Sequence, residues 1–521
     1  AAPAWTVQAD QPIEWLRFLP SRILVVSSDD GLRGLNPADG SAVWRRADLG
    51  NVSQTTFEGA QQSAPLAGGP AKTGTAAPVI RTMEELPGGR LAAILADSGG
   101  VRSWFDVIDL TTGTTAWSSS ALGIGDAHGF LPFPDSGTIL VYGTLIEPGR
   151  RRQFWTRVTV ATGEKLWTTD SLLLSPPVQF DAAGLVASRG TINGNQPLVP
   201  LTDSTVLLAA SGDGLVCFEI GSGRVRWRAP VAGGQVGPVG QGYAPLLFSG
   251  DTAYVATAHQ VDAIEISTHR MLWSAGSFPT ITTQTVMTSG GLLVRGQPLA
   301  VAGEDPRRSR PFAALLDLRN GRSRWKEEFD RGAGITPFLL SGDTAWIASD
   351  KGLLRLSLAG GTATAVTTGK LPGRPATTLE RQGGDILLAG AQSLTLLGPD
   401  GTQRYQIEFP APTLSLGGRI LRVALGAAAI AAGAYYSAGS LAGSAFARYQ
   451  YSTSAYLSQY AYFVLKDHEG QGPALAKVDK RTGEVAAVVP LNGEKSPEYA
   501  IDAYSGLLLL KQDRQLQAFR W

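Results

Sequence analysis

The sequence predicts an all-β chain built as a ring of repeated, four-stranded antiparallel sheets. Three observations carry that expectation: a turn motif that recurs along the chain, an apolar strand ahead of each copy, and two termini that complete one another. The motif is an apolar strand ending in a polar residue, with Gly four residues later and Trp four after that. It reads Asn36-Gly40-Trp44, Asp109-Gly113-Trp117, Thr159-Gly163-Trp167, Glu219-Gly223-Trp227 and Asp317-Gly321-Trp325. In a further copy, Glu265-His269-Trp273, His stands in the place of Gly. Ser357-Gly361-Ala365, Leu397-Gly401-Tyr405 and Asp479-Gly483-Ala487 are weaker copies.

Each copy has the chemistry of a β-hairpin. An Asp, Asn or Glu side chain accepts backbone N–H bonds in the turn, and Gly supplies a positive φ. Trp then opens the returning strand, where it can pack on a neighbouring unit. Ahead of the copies lie apolar strands, including Ile23–Val26, Leu91–Leu95, Thr138–Val141, Val206–Ala209, Ala253–Ala256, Ala345–Ala348 and Ile386–Ala389. Such small sheets cannot bury both faces alone, so they stack on one another.

The termini close the stack. The last residues, DRQLQAFRW, align with DDGLRGLNP of the first unit and stop before the turn. The first residues, PAWTVQAD, align with AVWRRADL, the strand after the turn, so Trp5 takes the place of a missing final Trp. The first strand would complete the last sheet, giving one circular β-propeller over residues 1–521. Ten repeats can be counted. Eight or nine remain if a hairpin belongs to an insertion.

Composition agrees. The chain has 521 residues with 63 Gly, 31 Pro and 17% charged residues, which suits many turns between short apolar strands. Its 45 basic and 44 acidic residues argue against a general nucleic-acid binder, which would need a basic surface. A single Cys, Cys217 in LVCFEI, excludes an intramolecular disulfide and a four-Cys zinc site and reads as a small core residue. The Ala start, with no charged-then-apolar segment ahead of it, is read as an exported chain whose signal segment has been removed.

The Asp-x-x-x-Gly-x-x-x-Trp pattern resembles the tryptophan-docking repeat of pyrroloquinoline-quinone-type β-propellers. That family holds both quinoprotein alcohol dehydrogenases and the non-catalytic outer-membrane assembly lipoprotein BamB. The resemblance implies a propeller with Trp5, Trp44, Trp117, Trp167, Trp227, Trp273 and Trp325 as structural docking residues, and a periplasmic, outer-membrane-associated or extracellular location. It commonly implies eight blades. The dehydrogenases carry a vicinal disulfide, a calcium held by Glu and Asn, and a catalytic Asp. One Cys removes the disulfide, and Asp29-Asp30-Gly31 lacks the alternating oxygen ligands of a calcium loop. His128, His259, His269 and His468 are dispersed, and there is no Gly-rich phosphate loop, GxSxG elbow or HExxH. The expectation is a scaffold without catalytic, cofactor-binding or metal-ligating residues.

Two features exceed the scaffold. Residues 423–465 look like an insertion in the ninth repeat, rich in Ala, Gly and Tyr, with Arg448 as their single charge. Tyr435, Tyr436, Tyr449, Tyr451, Tyr456, Tyr460 and Tyr462 fall there. The segment suits three roles: core strands with a helical cover, a docking surface for a protein partner, or membrane contact through 423–447. The expectation is an adhesive insertion that binds envelope proteins, with membrane contact disfavoured because Ala, Gly and Ser carry little transfer energy. The second feature is a set of equivalent hairpin loops carrying Arg102, then Arg150, Arg151 and Arg152, then Arg307, Arg308 and Arg310. They should share one rim and could meet an acidic partner or an anionic surface polymer, with Glu147, Glu304 and Asp305 partly offsetting the charge. Residues 51–78 lack periodicity and read as a surface loop.

Two alternatives accompany the scaffold reading: a quinone-dependent oxidoreductase, and a carbohydrate- or polymer-binding propeller using exposed Trp15, Trp104, Trp155 or Trp346.

Overall fold

A computed structural model describes residues 2–49, 79–410 and 459–520, with interruptions of which the longest are 98–102, 170–177, 181–185, 190–198, 232–245, 298–307, 368–375 and 492–497. The described chain is all-β apart from one 3-10 turn, Ala47–Leu49. Among the described residues the strands form nine four-stranded antiparallel sheets, one three-stranded sheet and one two-stranded pair. In chain order the larger sheets are sheet 1 (13–46), sheet 2 (79–118), sheet 3 (126–169), sheet 4 (199–229), sheet 5 (246–275), sheet 6 (282–328), sheet 7 (339–365), sheet 8 (376–408) and sheet 9 (460–490). Sheet 10 combines Glu498–Asp502, Leu507–Gln512 and Gln515–Arg520 with the N-terminal strand Trp5–Gln8. All the apolar strands expected from sequence are present, several a residue or two longer.

Position within the sheet explains strand composition. The second and third strands are covered on both faces, so they are continuously apolar: Leu24–Ser28, Gly291–Gly296, Phe312–Leu316 and Ser393–Leu397 are buried throughout. The fourth strand is the outer edge and alternates, as in Val225–Ala229 and Gln403–Glu408. Its exposed positions carry Arg45, Arg226, Lys326 and Arg404, charges that discourage edge-to-edge pairing.

The turn motif joins several of the sheets to the next. The Trp5 indole N–H donates to the Pro37 carbonyl at 2.9 Å, Trp117 to Val160 at 2.9 Å, Trp167 to Ile220 at 2.8 Å and Trp273 to Leu318 at 2.9 Å. Every acceptor is the residue after the polar turn residue of the following sheet. The same indoles cover the turn glycines. A β-carbon on Gly163 would lie 2.7 Å from the Trp117 ring, and one on Gly321 would lie 2.5 Å from Trp273. Both glycines also hold φ near +70°, so the position rejects a side chain twice over. Tyr405 serves sheet 8 in the same way, donating its hydroxyl to the Lys480 carbonyl. A β-bulge just before the aromatic residue accompanies the contact. In sheet 4, Cys217 pairs with Trp227 and Phe218 with Val225, leaving Arg226 unopposed. Equivalent shifts precede Trp44, Trp117, Trp167, Trp273, Trp325 and Tyr405. The extra residue bends the edge strand and re-aims its aromatic ring.

His269 occupies the turn position with φ +60° and stacks on Trp227, centroids 4.4 Å apart and planes 23° off parallel. An aromatic ring thus replaces the close backbone approach that Gly gives elsewhere.

Apolar clusters fill the spaces between sheets. Sheet 1 meets sheet 2 through Trp44, Leu32, Ile108 and Leu110, and sheet 5 meets sheet 6 through Trp273, Val261, Leu292 and Phe312. Sheet 10 packs on sheet 1 through Leu509, Leu516, Leu24 and Val26. Trp5–Gln8 lies antiparallel to the last strand, with Trp5 opposite Ala518. Cys217 is buried within its strand, where burial pushes its thiol up from the ordinary value.

One junction contains an ion pair. Lys480, fully buried, donates to the Glu380 carboxylate at 2.9 Å between sheets 9 and 8. Burial pushes Glu380 up and Lys480 down, toward their neutral forms, while mutual attraction opposes both shifts.

Two stability outcomes follow. Removing one partner of the buried pair, as in Lys480→Met, should cost about 3–5 kcal/mol, whereas Glu380→Leu with Lys480→Met should recover most of that loss. Denaturant midpoints of the singles and the double check this; a double variant as weak as the singles would refute it. At the stacked turn, His269→Ala keeps the left-handed backbone and forfeits an aromatic contact of about 0.5–1.5 kcal/mol. His269→Gly loses the same contact but relieves about 1 kcal/mol of backbone strain, so it should melt closer to the native chain than His269→Ala.

Candidate functional site

The two ends of the sheets differ. Antiparallel order puts the first-to-second and third-to-fourth connections at one end and all others at the opposite end. At the first end among the described strands, no connection exceeds six residues; examples are 203–204, 250–251, 342–343 and the motif turns 110–114 and 220–224. The longer connections join strands at the other end, namely 47–78, 119–125, 170–198 with its small pair Val178–Phe180 and Val186–Arg189, 230–245, 297–311, 329–338, 366–375, 491–497 and the hairpin loop 466–473, except that 409–459 runs from that end to the short-turn end, where Tyr460 pairs with Asp479. The short-turn end is self-satisfied. Asp109 accepts from the backbone N–H and hydroxyl of Thr111, and these bonds lead the effects that hold its carboxyl below the usual range. Glu219 is held down to about 2 by Arg224, Ser222 and Arg226. The long-connection end is the candidate functional face.

The arginine hairpins expected to share a rim do join equivalent strands. Arg102 lies between the second and third strands of sheet 2, and Arg307, Arg308 and Arg310 between those of sheet 6. Arg308 and Arg310 are exposed, while Arg102 and Arg307 lie outside the described residues. Arg150, Arg151 and Arg152 are strand residues and not loop residues as expected. They begin Arg150–Thr159, which pairs with Thr138–Glu147 over ten residue pairs, Glu147 opposite Arg150. Among the described residues these are the two longest strands, at ten residues each.

The tyrosine expectation divides. Tyr435, Tyr436, Tyr449, Tyr451 and Tyr456 lie outside the described residues, as do most of 423–465 and residues 51–78. Tyr460 and Tyr462 are not on an adhesive insertion: they belong to Tyr460–Leu465, a strand of sheet 9. Tyr462 is buried among Leu475, Val489 and Tyr499 against sheet 10. The half-buried Tyr460 ring faces the Lys477 ammonium at 3.9 Å, and burial pushes that amine down. Both tyrosines hold sheets together, because alternation along the strand turns them toward sheet 10. Trp155 and Trp346, named for the polymer-binding alternative but expected to serve packing, are buried at 2% and 5% exposure. Trp15 and Trp104 lie in Ile13–Phe18 and Ser103–Asp109.

Sequence reasoning missed a buried polar staple at the long-connection end. Arg295 and Gln297, both almost fully buried, donate to the Ile335 carbonyl. The Gln284 side-chain oxygen accepts from the Phe338 N–H at 2.9 Å, and Thr336 exchanges bonds with Ala348. Together they pin the connection 329–338 to sheets 6 and 7. The available signal was an Arg and a Gln at the end of GLLVRGQ, an otherwise apolar strand.

Among the described residues, no group of three or more His, Cys, Asp or Glu could hold a metal ion, and no helix is long and apolar enough to cross a membrane. His259 places Nδ1 3.2 Å from the Phe278 carbonyl, and His468 lies in the 466–473 loop. The described face offers backbone edges, exposed cations and pinned connections, which are means of binding.

Comparison with known proteins gives a family. A family model described as outer membrane protein assembly factor BamB matches residues 103–365. No curated protein sequence matches the chain. BamB from Moraxella catarrhalis is similar over 77% of this chain and 97% of its own, at 14% identity and a TM-score of 0.35. The computationally designed Ika8 protein is similar over 79% and 100%, at 11% identity and 0.33. The C-terminal WD40 domain of Sif2 is similar over 75% and 96%, at 9% identity and 0.36. With the family match spanning half the chain and the repeat it describes running on through the flanking sheets, the protein belongs to the family of the outer membrane protein assembly factor BamB.

Proposed function

We propose that the protein is a closed β-propeller of ten blades and a non-catalytic scaffold that holds envelope proteins of a bacterial cell, in the periplasm or at the outer membrane. The observation that carries the reading is the one-sidedness of the sheets: short, internally bonded turns at one end and, apart from 409–459, which runs between the two ends, the long connections at the other. A rigid stack fixes where those connections emerge, which suits a surface that must meet a partner in one orientation. The family name, an assembly factor for outer membrane proteins, supports the envelope location and the protein partners. Closure is supported by sheet 10, which draws strands from both termini and packs on sheet 1.

The reading assigns no chemical step. With Cys217 as the single Cys, the vicinal disulfide of the alcohol-oxidising quinoproteins cannot form. Dye reduction on adding pyrroloquinoline quinone and calcium would overturn that assignment.

Photo-crosslinking tests the scaffold. A crosslinking amino acid at Arg308 or Arg514 on the long-connection face should yield protein adducts in native envelope. The same residue at Asp203 or Asp251 on the short-turn face should yield none, and the reverse pattern would overturn the reading. Closure has its own measure. Removing residues 1–8 takes away the fourth strand of sheet 10, so the melting temperature of the whole protein should fall; unchanged melting would refute a closed ring.

A further inference from the structure

The outer strand of sheet 7 lacks the protection that other outer strands carry. Thr362–Ala365 is exposed at all four positions, has no charged residue and pairs with Leu354–Ser357 without a bulge. Elsewhere Arg45, Arg226, Lys326 and Arg404 guard the edge. Thr115–Ser118 and Val485–Pro490 are uncharged but bulged, and the second ends in Pro. Trp5–Gln8 alternates, with every second side chain half-buried. Just before the aromatic position, where sheets 4, 6 and 8 have Arg226, Arg324 and Arg404, sheet 7 has Thr364.

The outward backbone groups of this strand follow from its ladder. The Val366 N–H donates inward to the Leu353 carbonyl at 2.8 Å. Antiparallel alternation then turns Thr364 and Thr362 inward and leaves the N–H and C=O of Ala363 and Ala365 facing out. Among the described residues, nothing pairs with either alanine on that side.

An exposed, uncharged edge is a template for another strand, and its own reversed copy fits it. With a two-fold axis at Thr364, Ala363 stands opposite Ala365 of the second copy, and the two exchange both main-chain bonds. Thr364 meets its own counterpart as a non-hydrogen-bonded pair, a favourable threonine pairing. The flank adds charge complementarity. Ser323–Glu328 of sheet 6 lies against this strand. Its ladder, with the bulge at Arg324 counted, puts Ser323 level with Ala363, Trp325 with Thr364 and Lys326 with Ala365. An axis normal to sheet 7 sets this flank beside its own reversed copy, so Arg322 comes level with Glu327 of the second copy, and Glu327 with its Arg322. Both residues are exposed, and neither has an ionic partner among the described residues. That pairing favours a second copy over an unrelated strand.

We infer that Thr362–Ala365 is a self-association edge, through which two copies of this chain join sheet 7 to sheet 7 as one continuous antiparallel sheet about a two-fold axis at Thr364. The joined strands run in opposite directions, so the long-connection ends of the two copies point opposite ways and both stay free. The inference goes beyond the scaffold reading and does not depend on it.

Sedimentation of the full chain over a range of concentrations reads the association directly. A concentration-dependent dimer that weakens as salt rises is expected. Ala365→Pro removes only an outward N–H, so it should melt as the native chain does and lose the dimer. Thr364→Lys puts two like charges on the axis and should raise the dissociation constant about ten-fold or more. Mild oxidation reads the register, and the one native Cys, Cys217, is buried. Thr364→Cys should give a covalent dimer, because a non-hydrogen-bonded pair brings its Cα atoms to about 4.5 Å, within disulfide reach. Thr362→Cys should not, since its counterpart lies roughly 13 Å away along the strand. A chain that stays monomeric at every concentration, a dimer that survives both Ala365→Pro and Thr364→Lys, equal crosslinking from Thr362→Cys, or capture of a different protein by Thr364→Cys would overturn the inference. None of these outcomes touches the scaffold reading, which stands or falls on the face-specific crosslinks.

Discussion

The structure depends on one contact, an aromatic ring laid over the turn of the next sheet. A small four-stranded sheet has two apolar faces and no means of burying either alone. Face-to-face packing removes that cost only if consecutive sheets keep one fixed offset. The ring supplies the offset. Its hydrogen bond reaches a particular carbonyl, as Trp117 reaches Val160, and its face admits a backbone without a β-carbon, as at Gly163. The bulge before the ring belongs to the same device, since an unbulged edge strand would aim the residue elsewhere. Sheet 7 shows the converse: its outer strand Thr362–Ala365 has neither an aromatic residue nor a bulge. There Gly401 rests on the Val366 carbonyl and Thr367. At the preceding junction Arg324 takes over, with its β-carbon against Gly361 and its guanidinium bonded to the Gly290 and Ala359 carbonyls.

This explains which parts of the protein were readable from sequence. Asp109, Gly113 and Trp117 lie within nine residues of one another, so the contact leaves a local signature although it acts between sheets. The complementary ends were readable for the same reason, because Trp5 opposite Ala518 repeats a local pattern cut by the termini. What escaped was set by distant partners. Lys480 and Glu380 are separated by 100 positions, and neither has a local motif. Lys480 did stand out in one respect: Val160, Ile220 and Leu318 fill its turn position in other sheets. Trp155 shows a different limit. It follows the polar run Arg150–Gln153 by two residues, which suggests a surface, but its strand is part of sheet 3 and the ring is buried.

The polar staple at Ile335 bears on function. Buried Arg and Gln side chains are costly unless bonded. Spending Arg295, Gln297 and Gln284 on one connection fixes 329–338 against sheets 6 and 7, where a free connection would have served topology equally well. At the short-turn end the turns bond internally, as at Asp109 and Asp317, and sheets are joined by the buried Lys480–Glu380 pair and by Arg157 donating to the Ile220 carbonyl. Polar side chains are therefore spent at both ends, and at the long-connection end they hold one connection in a defined place.

The N-terminal strand ties the two ends of the chain together. Bringing residues 5–8 beside 515–520 costs chain entropy of about 5–6 kcal/mol if the intervening chain is treated as a flexible loop. Folding of the intermediate sheets supplies most of that cost beforehand, because each contact delivers the next sheet in a fixed orientation. The last step then needs only to place a short strand. Backbone bonds from Ala4 to Ala518 and from Ala9 to Arg514 flank it, and Trp5 bonds to Pro37 in sheet 1. The same residue thus completes sheet 10 and joins it to sheet 1. A strand held only by its sheet could fray without consequence elsewhere; one that also carries the inter-sheet contact couples the pairing of the termini to the junction of sheet 10 with sheet 1.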